Sequence, residues 1–409
     1  MKANAKYGSG IHHFSLPENV DILEPGEPEY NISREAFKEG FLASAKPLMK
    51  KHSAVAVIIS DKTRLCGYEI YLPWLLEALE QNGIARENIT FYIAYGTHPR
   101  QSDEECLASY GDTYNKYRFV HHDCREESLF VDKGKTCRGT PIKLRKDILE
   151  ADFVITFGAI SHHYFAGFGG GRKLFFPGLG QREAIYHNHS LFLNFVSRRL
   201  NETCKPGGLD DNPLAEDLKE MDRHFPARVA IHGILDSRGK VTQLRFGTTY
   251  TDFEDACREH DSFYKAVKNE VYDTVVASAG GYPKDINFIQ AHKSIHNSAA
   301  FVKDGGTLIV YAECRDGMGN ESLLPLFKLG GMEPLFQKLE QKYEGNGGTA
   351  LAMMSKAQRI NIFLVTRLDE ETCTSLGVKK TEPGHVPDIL KQQNGSFAFI
   401  PNASMLIPQ

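Results

Sequence analysis

The eight cysteines at 66, 106, 124, 137, 204, 257, 314 and 373 include no CxxC pair. That spacing excludes a zinc ribbon, and without paired spacings a disulfide framework is not expected, so buried inert thiols are. No apolar run approaches the ~18–20 residues of a membrane helix. No long basic run appears either. The 48 Lys+Arg stand against 52 Asp+Glu for a net charge of −4, which leaves no electrostatic footprint for nucleic acid. The first residues, MKANAKYGSGIHHFSLPE, lack the apolar core of a secretory leader. A cytoplasmic protein with neither a membrane nor a nucleic-acid partner is therefore expected. GxGxxG, GK[ST] and HExxH are also missing, which disfavours a nicotinamide dehydrogenase, a P-loop enzyme and a zinc hydrolase.

What remains is a chain of 409 residues, comfortable for two domains, with 41% hydrophobic and 24% charged residues. Its mean hydropathy is −0.35. Short β-branched runs alternate with helical stretches, which implies βαβ units and mostly parallel sheets. Strands are expected at 54–60, 89–95, 153–157, 228–235, 273–279, 307–312 and 361–366, with helices at 71–81, 262–270 and 294–302. We place an N-terminal α/β domain at residues 1–266 and a smaller α/β domain at 267–394. The tail 395–409 adds a strand to either one. The glycine-rich segment 343–349, YEGNGGT, reads as a mobile surface loop.

Three of these strands run straight into chemistry. AVAVIIS ends at Asp61-Lys62-Thr63-Arg64, the next ends at Gly96-Thr97-His98, and a third delivers SHHYFAGFGGGRKLFFPG, residues 161–178. Ligands of parallel sheets sit beyond the carboxyl ends of the strands, so Asp61, His98 and His163 should share one site. Consecutive glycines, Gly169, Gly170 and Gly171, permit close approach of backbone to a ligand. Arg64 suits a carboxylate or phosphate, while Asp61 also reads as a helix N-cap. Imidazoles at His162, His163, His187 and His189 invite proton transfer or metal binding, against the plainer reading as structural histidines. The H-x-H of 187–189 would put both rings on one face of a strand or loop. His121-His122-Asp123 reads as a support or a surface turn.

Taken together, SDKTR at 60–64, GTH at 96–98, HHYFAGFGGGRKLFFPG at 162–178, NH at 188–189 and GGYPKDINFIQAHK at 280–293 resemble the nickel-dependent lactate racemase family over nearly the whole chain. The resemblance implies two α/β domains with the active site in the cleft between them. It implies nickel in a pincer nucleotide, a pyridinium mononucleotide with two sulfur-bearing arms, made by cofactor-synthesis enzymes and joined covalently to Lys173. His189 would complete the nickel coordination, and His98 and His163 would be the acid/base pair. Arg64, Gln290 and Lys293 would orient a small 2-hydroxy acid, with Asp61 and Thr63 beside the cofactor. Two departures stand out. Pro99 separates His98 from Arg100, and Phe288-Ile289 precede Gln290 where the substrate's variable group is expected, so a substrate other than lactate is open. A regulatory relative that has lost chemistry is disfavoured, since His98, His163, Lys173 and His189 are all present.

Overall fold

The strand Val55–Ser60 is buried at every position, which explains its uninterrupted apolar sequence. It lies at the centre of a six-stranded sheet ordered 241–247, 228–235, 153–159, 55–60, 89–94 and 118–121. Only the Val241–Gly247 edge strand runs antiparallel; the other four pairings are parallel. The helix Tyr68–Gln81 buries Tyr68, Tyr71, Leu72, Leu75, Leu76 and Leu79, the spacing of one helical face. It begins three residues earlier than expected, after Gly67, with Pro73 in its second turn.

This computed structural model describes residues 1–51, 53–266, 270–343 and 345–408. The chain forms two compact units. One comprises Glu27–Leu191 and Thr203–Ser262, and the other Met1–Gly26, Phe192–Glu202 and Phe263–Gln409. The second unit holds its own six-stranded sheet, entirely parallel, ordered 379–381, 361–365, 302–311, 272–278, 397–400 and 20–22. Phe397–Ile400 pairs with Tyr272–Ser278 on one side and Val20–Ile22 on the other. The tail thus belongs with the sheet of the second unit, and so do the first 26 residues. Local patterning does not reveal such pairings, because strands nearly 400 residues apart meet there.

Several elements differ from expectation. The helix expected at 262–270 is Tyr250–Tyr264, and 267–269 lie outside the described residues. The helix expected at 294–302 is Phe288–Ala299, started earlier by the Asn287 side chain, which accepts from the Gln290 amide at 3.1 Å. Val302 instead opens the strand Val302–Tyr311. The last three residues of the segment expected to be a mobile loop are helical instead: Glu344 lies outside the described residues, and from Gly347 the chain is the buried start of the helix Gly347–Arg359. A Cβ at Gly347 would stand 2.4 Å from Leu339 Cδ2, so this glycine lets two helices approach.

Candidate active site

All three predicted strand ends meet in the first unit. A pocket there is lined by Asp61, Arg64, His98, His163, Lys173 and His189, among others. Gly96 N–H donates to Gly178 O at 2.8 Å, which ties the GTH turn to the end of the glycine-rich segment.

Asp61 does two things. Its Oδ1 accepts from the Thr63 amide at 2.9 Å and the Thr63 hydroxyl at 2.6 Å, capping the turn Lys62–Arg64. Its Oδ2 lies 2.6 Å from His98 Nδ1. Burial pushes the carboxyl up, but the hydrogen bonds from His98 and Thr63 and the nearby His98 and Arg64 charges prevail and hold it at about 2. An ionised carboxylate only accepts, so His98 Nδ1 carries a proton, and in the neutral ring Nε2 offers a lone pair. The Asp61 side chain is 5% exposed and that of His98 44%, so a buried anchor orients an open ring. The cap reading and the site reading of Asp61 hold together.

His163 has the opposite polarity. The Ala166 amide donates to its Nδ1 at 3.3 Å, so the neutral ring carries its proton on Nε2. Tyr164 stacks on the ring at 5.5 Å and Phe165 meets it edge-on at 4.5 Å. His162, on the other face of the short strand Ser161–His163, turns away: its Nε2 lies 2.6 Å from Asp261 Oδ1 on the helix Tyr250–Tyr264. That neighbour anchors the segment.

The second histidine pair is split. His187 and His189 lie on the helix Arg182–Ser190, where residues two apart point about 200° apart. His187 Nδ1 is 3.0 Å from Thr140 Oγ1, while His189 faces the pocket against Phe165 at 5.1 Å. Between them the fully buried Asn188 donates to Asp217 Oδ2 at 2.8 Å and fixes the rotation of the helix. Burial first, then the charges of Lys173, His98 and Arg64, lower His189 to about 3. A neutral imidazole at working pH is the form that ligates a metal.

Lys173 sits in the turn Gly171–Leu174, 9% exposed, with its amine 5.6 Å from the Phe165 ring centroid. Of the three glycines, Gly170 lines the pocket. At φ 73° a Cβ there would stand 2.3 Å from Ala159 O. Gly171, at φ 51°, would meet the Phe253 ring at 2.3 Å. Their need for glycine is thus met by the chain's own packing. Thr63 is exposed and spends its hydroxyl on Asp61. Gln290 and Lys293 lie in the other unit, on Phe288–Ala299, where the Lys293 amine donates to Gln290 Oε1 at 2.6 Å. His121 Nδ1 meets the Tyr95 hydroxyl at 2.9 Å, supporting the residue just before the GTH turn. Asn212 and Arg172, which grip the loop after His163, were not singled out by the sequence: Asn212 lies outside every quoted motif, and Arg172, though inside the stretch 162–178, acts on backbone that the motif does not reveal.

A pocket at the carboxyl ends of a parallel sheet, with two oppositely polarised histidines, an amine and a neutral imidazole, has the makings of an enzyme's active site. The comparisons with known proteins say which kind. Residues 7–200 match the Lactate racemase N-terminal domain and residues 267–342 the Lactate racemase C-terminal domain. The chain is 32% identical over 333 residues to the lactate racemase of Thermoanaerobacterium thermosaccharolyticum, covering 79% of this chain and 76% of that protein. It is 33% identical over 277 residues to the lactate racemase of Lactiplantibacillus plantarum, covering 66% of this chain and 62% of that one. The solved lactate racemase apoprotein from T. thermosaccharolyticum superposes with a TM-score of 0.89 at 25% identity, each chain covered fully. A Thermotoga maritima protein shares the fold at TM-score 0.71 and 17% identity. The chain belongs to the lactate racemase family, a family of isomerases. No helix among the described residues is long and apolar enough to cross a membrane.

Proposed function

We propose that the protein racemises or epimerises a 2-hydroxy acid at C2, with lactate, named for both curated relatives, as the first substrate to test. The observation that carries this reading is the convergence of His98, His163, Lys173 and His189 on one pocket. Pulling the α-proton from a 2-hydroxy carboxylate is difficult, since the carboxylate stabilises a carbanion poorly. Loss of hydride from C2 with loss of the hydroxyl proton to a base gives a planar 2-keto acid instead, and return of hydride to either face inverts the centre. When bound, a nickel pincer nucleotide supplies the hydride acceptor.

The residues present fit such a group. No cluster of three or more His, Cys, Asp or Glu side chains among the described residues is placed to hold a metal; His189 is the one protein ligand we assign to it, with the others from the cofactor. Lys173 offers the amine for covalent attachment, and Gly170 leaves the pocket wall free of side chain there. We assign to His98 Nε2 the hydroxyl proton of one enantiomer; the contact of its Nδ1 with Asp61, which would stabilise the resulting imidazolium, supports that role. His163 serves the other face. Arg64 is the pocket's guanidinium for the substrate carboxylate, and Gln290 and Lys293 are the further groups we assign to substrate orientation.

The test is production of the protein together with cofactor-synthesis enzymes, followed by intact mass, nickel content and loss of optical purity on a panel of chiral 2-hydroxy acids. A mass increment should vanish in Lys173→Ala and persist in His98→Ala. Absence of both increment and nickel from the wild type under these conditions would overturn the reading.

A further inference from the structure

The backbone just after His163 is gripped at three consecutive carbonyls. Asn212 Nδ2 donates to Phe165 O at 2.9 Å, Arg172 Nη2 donates to Ala166 O at 3.2 Å, and the Gly207 amide donates to Gly167 O at 2.9 Å. The first grip has a particular consequence. Phe165 C=O and Ala166 N–H belong to one planar peptide group, so fixing the oxygen fixes the direction of the N–H. That N–H is the donor to His163 Nδ1.

Asn212 is itself held firmly. It is fully buried and caps the helix Pro213–Asp222, its Oδ1 accepting from the Leu214 and Ala215 amides at 3.1 Å each. Those two donors settle the orientation of the amide: the oxygen faces the helix and the nitrogen faces Phe165 O and Gly208 O. Arg172 secures the same loop from another side. The residue is 2% exposed and its guanidinium lies 4.6 Å from the Phe253 ring centroid. Its Nε and Nη1 make no hydrogen bond. Burying a cation with two silent donors is costly, and what this one visibly holds is Ala166.

We propose that Asn212 is a positioning residue: acting through the Phe165–Ala166 peptide, it keeps His163 in its Nε2–H tautomer, opposite to the Nδ1–H tautomer that Asp61 imposes on His98. The pocket then rests with one ring as acceptor and the other as donor: His98 is the base available at rest while His163 hydrogen-bonds the substrate, and His163 takes a hydroxyl proton from the other enantiomer only once the proton has left its Nε2. The proposal rests on the assignment of His163 as a functional histidine of the site, and its test separates the two ideas.

Asn212→Asp is the informative variant. An aspartate caps the helix as well as asparagine does, but it cannot donate to Phe165 O. Asn212→Ser, another good cap, is the second variant should the aspartate unfold, which thermal denaturation would reveal. The apo protein, labelled with 15N-histidine, is read by long-range 1H–15N correlation of its imidazoles, with His163 assigned by the signal lost in His163→Gln. Wild type should show His163 with a protonated Nε2 and a bare Nδ1, and the Asn212 variants a mixture of both tautomers. A folded Asn212→Asp or Asn212→Ser whose His163 remains wholly Nε2–H overturns the proposal. Cofactor-loaded Asn212→Asp should lose kcat by about tenfold with KM little changed, the loss expected when an acid/base group is misaligned rather than absent. If the tautomer shifts and kcat does not, the tautomer clamp stands and the acid/base role of His163 falls.

Discussion

The two six-stranded sheets treat the carboxyl ends of their strands in opposite ways. In the first unit these ends open into a pocket carrying Asp61, His98 and His163. In the second they are closed by the N-terminal hairpin, strands Lys2–Tyr7 and Gly10–Ser15. Ser278 Oγ donates to Lys6 O at 2.7 Å, the Tyr282 amide to Gly8 O at 2.8 Å, and the Gly8 amide to Asp285 Oδ2 at 2.7 Å. Parallel sheets place backbone dipoles and loops where a ligand can bind, yet a site arises only where the chain does not fill that place itself. One sheet leaves a pocket there. The other spent the same position on its own backbone.

The comparison breaks most sharply at the two buried aspartates. Asp61→Asn keeps the shape but exchanges a carboxylate for an amide that no longer demands Nδ1–H on His98. We expect kcat of the loaded enzyme to fall by ~10²–10⁴, measured as initial racemisation rate. The acid limb of stability should change too. The folded-state value of about 2 lies below the ordinary 3.8, so Asp61 stabilises the fold above pH ~4 and loses that contribution as pH falls towards 2. Asp61→Asn should therefore be less sensitive to pH between 4 and 2 in a denaturation series. In the second unit, Asp285 Oδ2 accepts from the Gly8 and Glu313 amides, at 2.7 and 3.1 Å. Asp285→Ala strands both donors and should cost about 2–4 kcal/mol in urea unfolding. An equal-stability Asp285→Ala would show that the hairpin is not held there.

How much of this contrast the sequence showed follows from the range of the interactions. The strand 228–235 was legible to the residue, because burial of all but its two end positions forces a mostly apolar run, the buried His232 apart. The pocket residues were legible because a parallel sheet delivers successive strand ends to one place. Illegible were features made by distant partners: Val20–Ile22 pairing with Phe397–Ile400, the helical setting of His187 and His189, and Asn212 reaching Phe165 O. The H-x-H spacing carries different geometry in a strand and in a helix, and only the fold decides which.

A buried cation sharpens the comparison from the other side. Lys356, on Gly347–Arg359, donates to Ala352 O at 2.7 Å, and burial first, with Arg359 adding, lowers it to about 7. A lysine whose folded value lies below its usual 10.5 binds fewer protons folded than unfolded between pH 7 and 10.5, so stability from this group rises over that window. Lys356→Met removes the penalty. We expect it to stabilise the protein by about 2 kcal/mol at pH 7, a gain that shrinks towards pH 10. A gain independent of pH would point to packing instead.

The smallest expected effect lies on the same helix. Gly347 stands where a Cβ would come within 2.4 Å of Leu339 Cδ2, the flexible end of a side chain rather than backbone. Gly347→Ala therefore asks Leu339 to shift while gaining a better helix former, two terms of similar size and opposite sign. The contact is the larger, since Leu339 is itself buried on the helix Met332–Gln341 and has little room to yield. We expect a net loss of about 1 kcal/mol, seen as a fall in Tm of about 2–4 °C. An unchanged or higher Tm would mean that the helix pair can spread apart, and that Gly347 follows from the turn at Asn346 rather than from close packing.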